Sequence, residues 1–177
     1  HKNTSAPATD FLVLNSTDAT ADAANRWNDT MPSSSVITIG DTARVNDPSG
    51  SYLMYVFTEI QGYSKFGSYT GNGSTDGTFV YTGFKPAFVI TKRTDTAKNW
   101  YMFDNKRTPF NVIANLIAPN LSSAEDSGTG TYIDFLSNGF KLRQDFSHMN
   151  ASGGTHIYMA FAEHPFVSSK GVPVTAR

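Results

Sequence analysis

The sequence contains no cysteine among its 177 residues, which excludes disulfide frameworks, thiolate metal sites and cysteine nucleophiles. Charged residues are also scarce, at 16 % of the chain against roughly 25 % in globular proteins. The formal net charge of −1 gives no electrostatic basis for binding nucleic acid or a membrane surface. No apolar run approaches the roughly 18 residues of a membrane-spanning helix. We therefore predict neither nucleic-acid binding nor membrane insertion.

Small polar residues and glycine are abundant, with 18 Ser, 20 Thr, 13 Asn and 14 Gly. Such residues favour turns and disfavour long helices. They separate short stretches rich in β-branched and aromatic residues, which is the pattern of strands. The predicted strands are 11–14, 36–39, 52–58, 66–69, 78–81, 87–92, 100–103, 132–135, 140–143 and 157–162. The predicted fold class is all-β, an antiparallel β-sandwich of jelly-roll-like or lectin-like type.

One stretch, 108–125, lacks a clear strand pattern. Four apolar residues between 112 and 117 follow helical spacing, with Pro109 placed to start a helix and Pro119 to stop it. The spacing therefore permits a short helix near 109–118.

An internal repeat links residues 51–59 (SYLMYVFTE) to residues 155–163 (THIYMAFAE). Corresponding positions are apolar or aromatic, and both segments end in Phe-x-Glu. Chance similarity between two amphipathic strands is the alternative explanation. The repeat predicts two related modules in tandem.

The predicted modules divide the chain near residue 60. Residues 1–60 are the C-terminal half of a preceding module or, alternatively, the first strands of the same sandwich. Residues 61–168 are predicted to be a complete sandwich module and 169–177 a tail. The chain begins at His1, and we expect it to be a piece of a longer polypeptide. Because open sheet edges invite pairing, we expect the half-module to complete its sheet on another chain.

Several unusual strings occur in a fixed order along the second module. They are GYSKFGSYTGNGSTDG at 62–77, FVYTGFKPAFVITKRT at 79–94, NGFKLR at 138–143 and NASGGTHIYMAFAE at 150–163. This series resembles a domain of bacteriophage tail and tail-fibre proteins, over about residues 61–166. Members of that family often follow a lectin-like sandwich, and the family provides no catalytic residues to transfer.

The resemblance implies a structural component of a phage virion, located in an extracellular particle. Its expected role is that of a tail or tail-fibre module in host-surface attachment, with other virion proteins, a second copy of the chain and bacterial surface glycan as partners. A capsid decoration protein is the main alternative, and a glycan depolymerase is a weaker one. We predict no enzyme activity, no catalytic residue, no cofactor and no metal.

Candidate ligand contacts are aromatic and polar residues in or near loops. Aromatic faces stack on sugar rings, while amide, carboxylate and guanidinium groups bind hydroxyls. For each aromatic, core packing is the alternative. The predicted contacts are Tyr69, Asn72, Asp76, Arg93, Trp100 and Arg107.

Three other patterns could indicate catalysis or metal binding. The glycine-rich loop 71–77 has one carboxylate and no Gly-Lys-Ser/Thr ending, so it matches neither a calcium loop nor a phosphate loop. Glu59 and Glu163 occupy equivalent repeat positions, which argues against their converging as a glycosidase pair. The histidines at 148, 156 and 164 are interpreted as unrelated to one another.

Overall fold

The computed structural model describes residue 4, residues 6–127 and residues 130–165. The N-terminal region contains a two-stranded ribbon and two single-turn helices: β1 (Asp10–Phe11), β2 (Ala21–Asp22), α1 (Ala24–Trp27) and α2 (Ala43–Asn46). The following region contributes seven longer strands: β3 (Ser64–Thr70), β4 (Phe79–Tyr81), β5 (Pro86–Arg93), β6 (Trp100–Asp104), β7 (Ile133–Leu136), β8 (Gly139–Leu142) and β9 (Thr155–Ala162). In the described part of the chain, no helix is both long enough and apolar enough to cross a membrane.

The seven longer strands form two antiparallel sheets, which confirms the predicted all-β sandwich. One sheet has the order β3-β9-β5-β6 and the other has the order β4-β8-β7. Each of these strands overlaps a predicted stretch. The prediction succeeds because apolar residues at alternate positions place their side chains on the face of the sheet that packs in the core. The main core is built from aromatic and branched side chains, including Phe103, Phe140 and Ile133, that are fully buried.

The outer face of the four-stranded sheet is covered by the N-terminal region. Ile90, Trp100 and Ile157 form a second buried cluster there, with Leu12 packed against it. The indole Nε1 of Trp100 donates a hydrogen bond to the Val13 carbonyl at 3.0 Å. The central strands β5 and β9 are therefore largely buried on both faces, which explains why they contain nearly continuous apolar runs.

The helix permitted by the spacing at 109–118 is absent. Ile113 pairs with Ile133, and Ile117 pairs with Met102, in isolated antiparallel bridges. These contacts bring the segment against strands of both sheets. β-branched residues favour such a conformation over a helix, and backbone pairing with distant strands supplies the hydrogen bonds that a helix would have made locally.

Two predicted strands of the N-terminal region are also absent, and a third is shortened. Residues 36–39 and 52–58 belong to no strand, and 11–14 is reduced to β1. The backbone bends at residues 34–35, directly before this stretch, and the Ser33 hydroxyl accepts a hydrogen bond from the Val36 amide at 2.9 Å. A strand needs a neighbouring strand for its backbone groups, and neither segment has one among the described residues.

The predicted tail at 169–177, together with residues 166–168, lies outside the described residues. The division into modules near residue 60 stays a prediction.

Candidate functional site

One end of the sandwich gathers three loops, 71–77, 94–99 and 144–154, which we call the loop end. The strand register places Thr70 opposite Thr155 and Arg93 opposite His156, so the loops after β3 and β5 and before β9 start side by side. Two backbone hydrogen bonds of 2.9 Å join Gly71 to Gly153 and Gly154. Loops carried on a rigid sheet in this way are common positions for binding residues.

Asn150 fixes the geometry of the loop end. Its side chain is fully buried. Its Oδ1 accepts a hydrogen bond from the Asn72 amide at 3.0 Å, and its Nδ2 lies 3.0 Å from Asn72 Oδ1. The same Nδ2 lies 2.9 Å from the carbonyl oxygens of Ser74 and Gln144. One side chain thus satisfies backbone groups of two loops that would otherwise need water.

Gly71 is required by the close approach of these loops. A Cβ at this position would lie 2.3 Å from the Ala151 carbonyl oxygen. Any larger residue would push the loops apart, so this part of the Gly-rich string has a structural reason.

Asn72 and Asp76 are the predicted contacts that the loop end exposes. The Asn72 amide group donates to the Asp76 carbonyl oxygen at 2.9 Å, and its Oδ1 accepts from the Ser74 amide at 3.0 Å. The Asp76 carboxylate pairs with Lys141, and this hydrogen bond lowers the pKa of Asp76. Asp76 remains an ionised, exposed acceptor with a cation beside it, which is a suitable arrangement for sugar hydroxyls.

Arg93 belongs to the same end but has partners of its own. Its Nε and Nη2 bind the two carboxylate oxygens of Asp95, at 2.6 and 3.1 Å. Its Nη1 donates to the Ser147 carbonyl at 3.1 Å. This bidentate pair raises the pKa of Arg93 and lowers that of Asp95. Arg93 therefore ties the loop after β5 to the loop before β9, and its guanidinium is largely committed within the chain.

Tyr69 and Trp100, the aromatic contacts predicted from the sequence, are core residues. Each is 8 % exposed. The Tyr69 hydroxyl donates to the Met149 carbonyl at 2.8 Å, and its ring stacks on His156. The Trp100 ring is covered by the N-terminal region. Neither ring has a face open for stacking on a sugar, so packing, the alternative given for each aromatic, accounts for both.

Arg107 lies at the opposite end of the sandwich. It follows β6, whose Asp104 pairs with Phe88 near the start of β5. Its guanidinium binds Asp104 at 2.6 Å and Glu125 at 3.2 Å. The structure therefore brings Asn72, Asp76 and Arg93 together and separates Arg107 from them.

The two glutamates of the repeat each have a separate lysine partner. Glu59 pairs with Lys65 at 3.3 Å, and Glu163 pairs with Lys85 at 2.7 Å. Neither carboxylate is held near another acid by these contacts. Within the described ranges, no three His, Asp or Glu side chains are grouped closely enough to hold a metal ion.

A polar depression in the N-terminal region was missed by the sequence reasoning. It has a volume of about 500 Å³ and is lined by amide and carboxylate side chains at Asn25, Asn28, Asp29, Asp41 and Asn46. The Gly40 amide donates to the Arg26 carbonyl at 2.8 Å, which joins residues 39–41 to α1. The lining residues come from three separate stretches, and only their high density of Asn and Asp could have suggested them.

Comparison with known proteins identifies one family. No curated protein and no solved structure matches the chain. The profile of DUF7483, described as a domain of unknown function, matches residues 1–165. That match spans both the N-terminal region and the sandwich. The chain belongs to the DUF7483 family.

Proposed function

We propose that this protein is a structural module of a bacteriophage virion, in the tail or a tail fibre, that takes part in attachment to the bacterial surface. The proposal is carried by the strings that resemble tail and tail-fibre proteins. Those strings form the frame of the sandwich: 62–77 covers β3 and the glycine-rich loop, 138–143 covers β8, and 150–163 covers the Asn150 loop and β9. The resemblance thus falls on residues that define the fold and the loop end together.

The geometry of the loop end supports a binding role. Buried Asn150 and the Arg93–Asp95 pair fix the loops, so the exposed Asp76 carboxylate and the Asn72 amide, which is itself hydrogen-bonded within its loop, lie on a rigid base. Preorganised amide and carboxylate groups lose little entropy on binding a hydroxylated ligand. With both predicted aromatics buried, each site has mainly polar contacts, and repeated copies on a particle would supply avidity.

A capsid decoration protein stays the main alternative, because it would need the same fold and differ only in its place on the particle. A glycan depolymerase has less support. Hydrolysis of a glycosidic bond commonly uses two carboxylates roughly 5–10 Å apart across the bond. The candidate acids Glu59 and Glu163 are each paired with a lysine instead.

The attachment role is tested by binding of the labelled chain, displayed as a multimer, to the bacteria that its phage infects. We expect binding that is lost when surface glycan is stripped and strongly weakened by Asn72→Ala with Asp76→Ala. The matched control is Glu125→Ala, which removes an ion-paired acid at the opposite end. Absence of binding by the multimer, or equal binding by the loop-end variant and wild type, would refute attachment through this end.

A further inference from the structure

Residues 51–58 are an apolar segment that the chain leaves exposed. Leu53 is 78 % exposed and Tyr55 76 %, and the other apolar residues from 52 to 57 are at least half exposed. With about 200 Å² for an aromatic side chain, the exposed apolar surface is on the order of 700 Å². A typical monomer has a largest apolar patch of about 300–600 Å², so this segment is expected to be covered in the working protein.

The pattern of the segment is that of a strand paired on both edges. Residues 51–59 repeat the pattern of 155–163, and the corresponding residues of the chain form β9, which lies between β3 and β5. The segment contains no charge and no proline, the residues that normally protect an exposed edge from pairing. A sequence of this kind is suited to a sheet and not to solvent.

Pairing within the chain begins next to this segment and is stopped at Glu59. Ile60 forms an antiparallel bridge with Ser64 at the start of β3. One residue further, the Glu59 carboxylate accepts the Phe66 amide hydrogen at 3.2 Å, where a continued hairpin would need a backbone carbonyl. The Ser64 hydroxyl donates to the Thr58 carbonyl at 2.8 Å. Residues 51–58 therefore do not continue the pairing with β3 as a strand.

Contacts at its two ends hold the segment in place. The Tyr52 hydroxyl accepts a hydrogen bond from the Asp47 amide at 2.8 Å. The Phe57 ring packs edge-on against Phe161, with centroids 5.9 Å apart, and against Phe66 at 6.3 Å. Residues 53–56 lie between these anchors and present their side chains to solvent.

We propose that residues 51–58 pair antiparallel with residues 51–58 of a second copy of this chain. The segment is complementary to itself in this direction: Ser51 faces Thr58, Tyr52 faces Phe57, Leu53 faces Val56 and Met54 faces Tyr55. Hydroxyl–hydroxyl and aromatic–aromatic pairs are among the favourable cross-strand pairs.

Charge and area also favour a second copy as the occupant. In this register Glu59 lies opposite Gly50, so the two like charges do not oppose each other. The exposed apolar surface is on the order of the roughly 800 Å² that each partner contributes to a standard interface, and pairing would cover the part of it that faces the second strand. A two-fold symmetric contact is the commonest way in which identical chains associate. This dimer would form whether or not the protein acts in a virion.

The register can be tested by cysteine crosslinking, since the natural chain has no cysteine. Leu53→Cys and Val56→Cys chains, carrying different tags, are mixed and mildly oxidised. We expect a mixed disulfide dimer, because facing Cα atoms lie within the range of about 4.4–6.8 Å that a disulfide spans. Leu53→Cys alone is the matched control and should give little dimer. No mixed dimer, or equal crosslinking in the control, overturns the proposal.

Sedimentation of the full chain provides the second measurement. We expect wild type to dimerise, and Tyr55→Lys to raise the dimer dissociation constant at least about tenfold, because it buries a charge in the strand pair. Tyr81→Lys is the control, since Tyr81 is an exposed aromatic on β4 outside the segment. Circular dichroism verifies that each variant folds. A monomeric wild type, or a Tyr55→Lys dimer as tight as wild type, overturns the proposal and leaves a different protein as the occupant.

Discussion

The imidazole ring of His156 lies flat on the phenol ring of Tyr69, with centroids 4.9 Å apart and an interplanar angle of 8°. His156 is fully buried, its Nδ1 lies 3.0 Å from the Gly154 carbonyl oxygen, and its Nε2 has no hydrogen-bond partner among the described residues. Burial, assisted by the nearby Arg93 cation, lowers the pKa of His156 to about 4. The folded protein therefore holds this histidine neutral in the loop-end core.

The lowered pKa of His156 predicts acid sensitivity. Between pH 6.5 and about 4 the unfolded chain binds a proton at this histidine that the folded chain does not, so stability falls as pH falls. The expected loss across this window is roughly 3 kcal/mol. Urea unfolding at several pH values measures it. His156→Gln should remove most of this slope, and an unchanged slope in that variant would contradict the assignment.

Asn150 is predicted to be the most sensitive polar residue of the loop end. Asn150→Ala leaves partly buried backbone groups of two loops without their protein partner, and a buried group left unpaired costs about 1–3 kcal/mol. We expect a loss of unfolding free energy of at least about 2 kcal/mol, measured by urea titration. Asp76→Ala is the comparison and should cost much less, because the Asp76 carboxylate is exposed and its ion pair with Lys141 lies at the surface. Equal losses would show that Asn150 does not fix the loops.

Alanine substitutions at two glycines of the loop end distinguish the cost of steric crowding from the cost of backbone strain. Gly71→Ala places a methyl group 2.3 Å from a backbone oxygen and should cost about 2 kcal/mol or more. Gly153→Ala meets no atom within 4 Å, but its φ of 70° is left-handed, so about 1 kcal/mol is expected. Thermal unfolding of both variants gives the order. A larger loss at Gly153 would refute the close approach at Gly71.

Arg93 is predicted to hold the loops 94–99 and 144–154 together through its contacts with Asp95 and Ser147. Arg93→Lys keeps the charge but loses the two-pronged contact to Asp95 and the contact to Ser147. We expect faster amide hydrogen exchange in 144–154 with unchanged exchange at the opposite end of the sandwich. Arg107→Lys serves as the control, because its ion pairs lie at that opposite end. Unchanged exchange at 144–154 in Arg93→Lys would mean that the pair does not hold the loop.

The sandwich was predictable from sequence because its strands carry their signal locally. β5 and β9 alternate or run apolar over eight residues, and turn residues bound them on both sides. The predictions of a helix at 109–118 and of a strand at 52–58 were wrong for a shared reason. Their conformation depends on distant partners: Ile113 and Ile117 find strands elsewhere in the chain, whereas Glu59 stops the pairing of 52–58.

The candidate site was only partly predictable. The string rich in Asn and Gly at 71–77 predicts a loop and so places Asn72 and Asp76 at the surface. The sequence does not show which face of a sheet an aromatic side chain in a strand occupies, and both Tyr69 and Trp100 are buried. The separation of Arg107 from Arg93 follows from strand order, which periodicity does not provide. The depression beside Gly40 required three separate stretches to be brought together.

The virion claim is tested most directly by immunogold electron microscopy of purified particles whose genome encodes this chain. We expect gold on the tail or its fibres, at several copies per particle. Gold confined to the head would contradict the tail location and favour the decoration alternative. Unlabelled particles, with the protein detected only in the lysate of infected cells, would contradict a virion role.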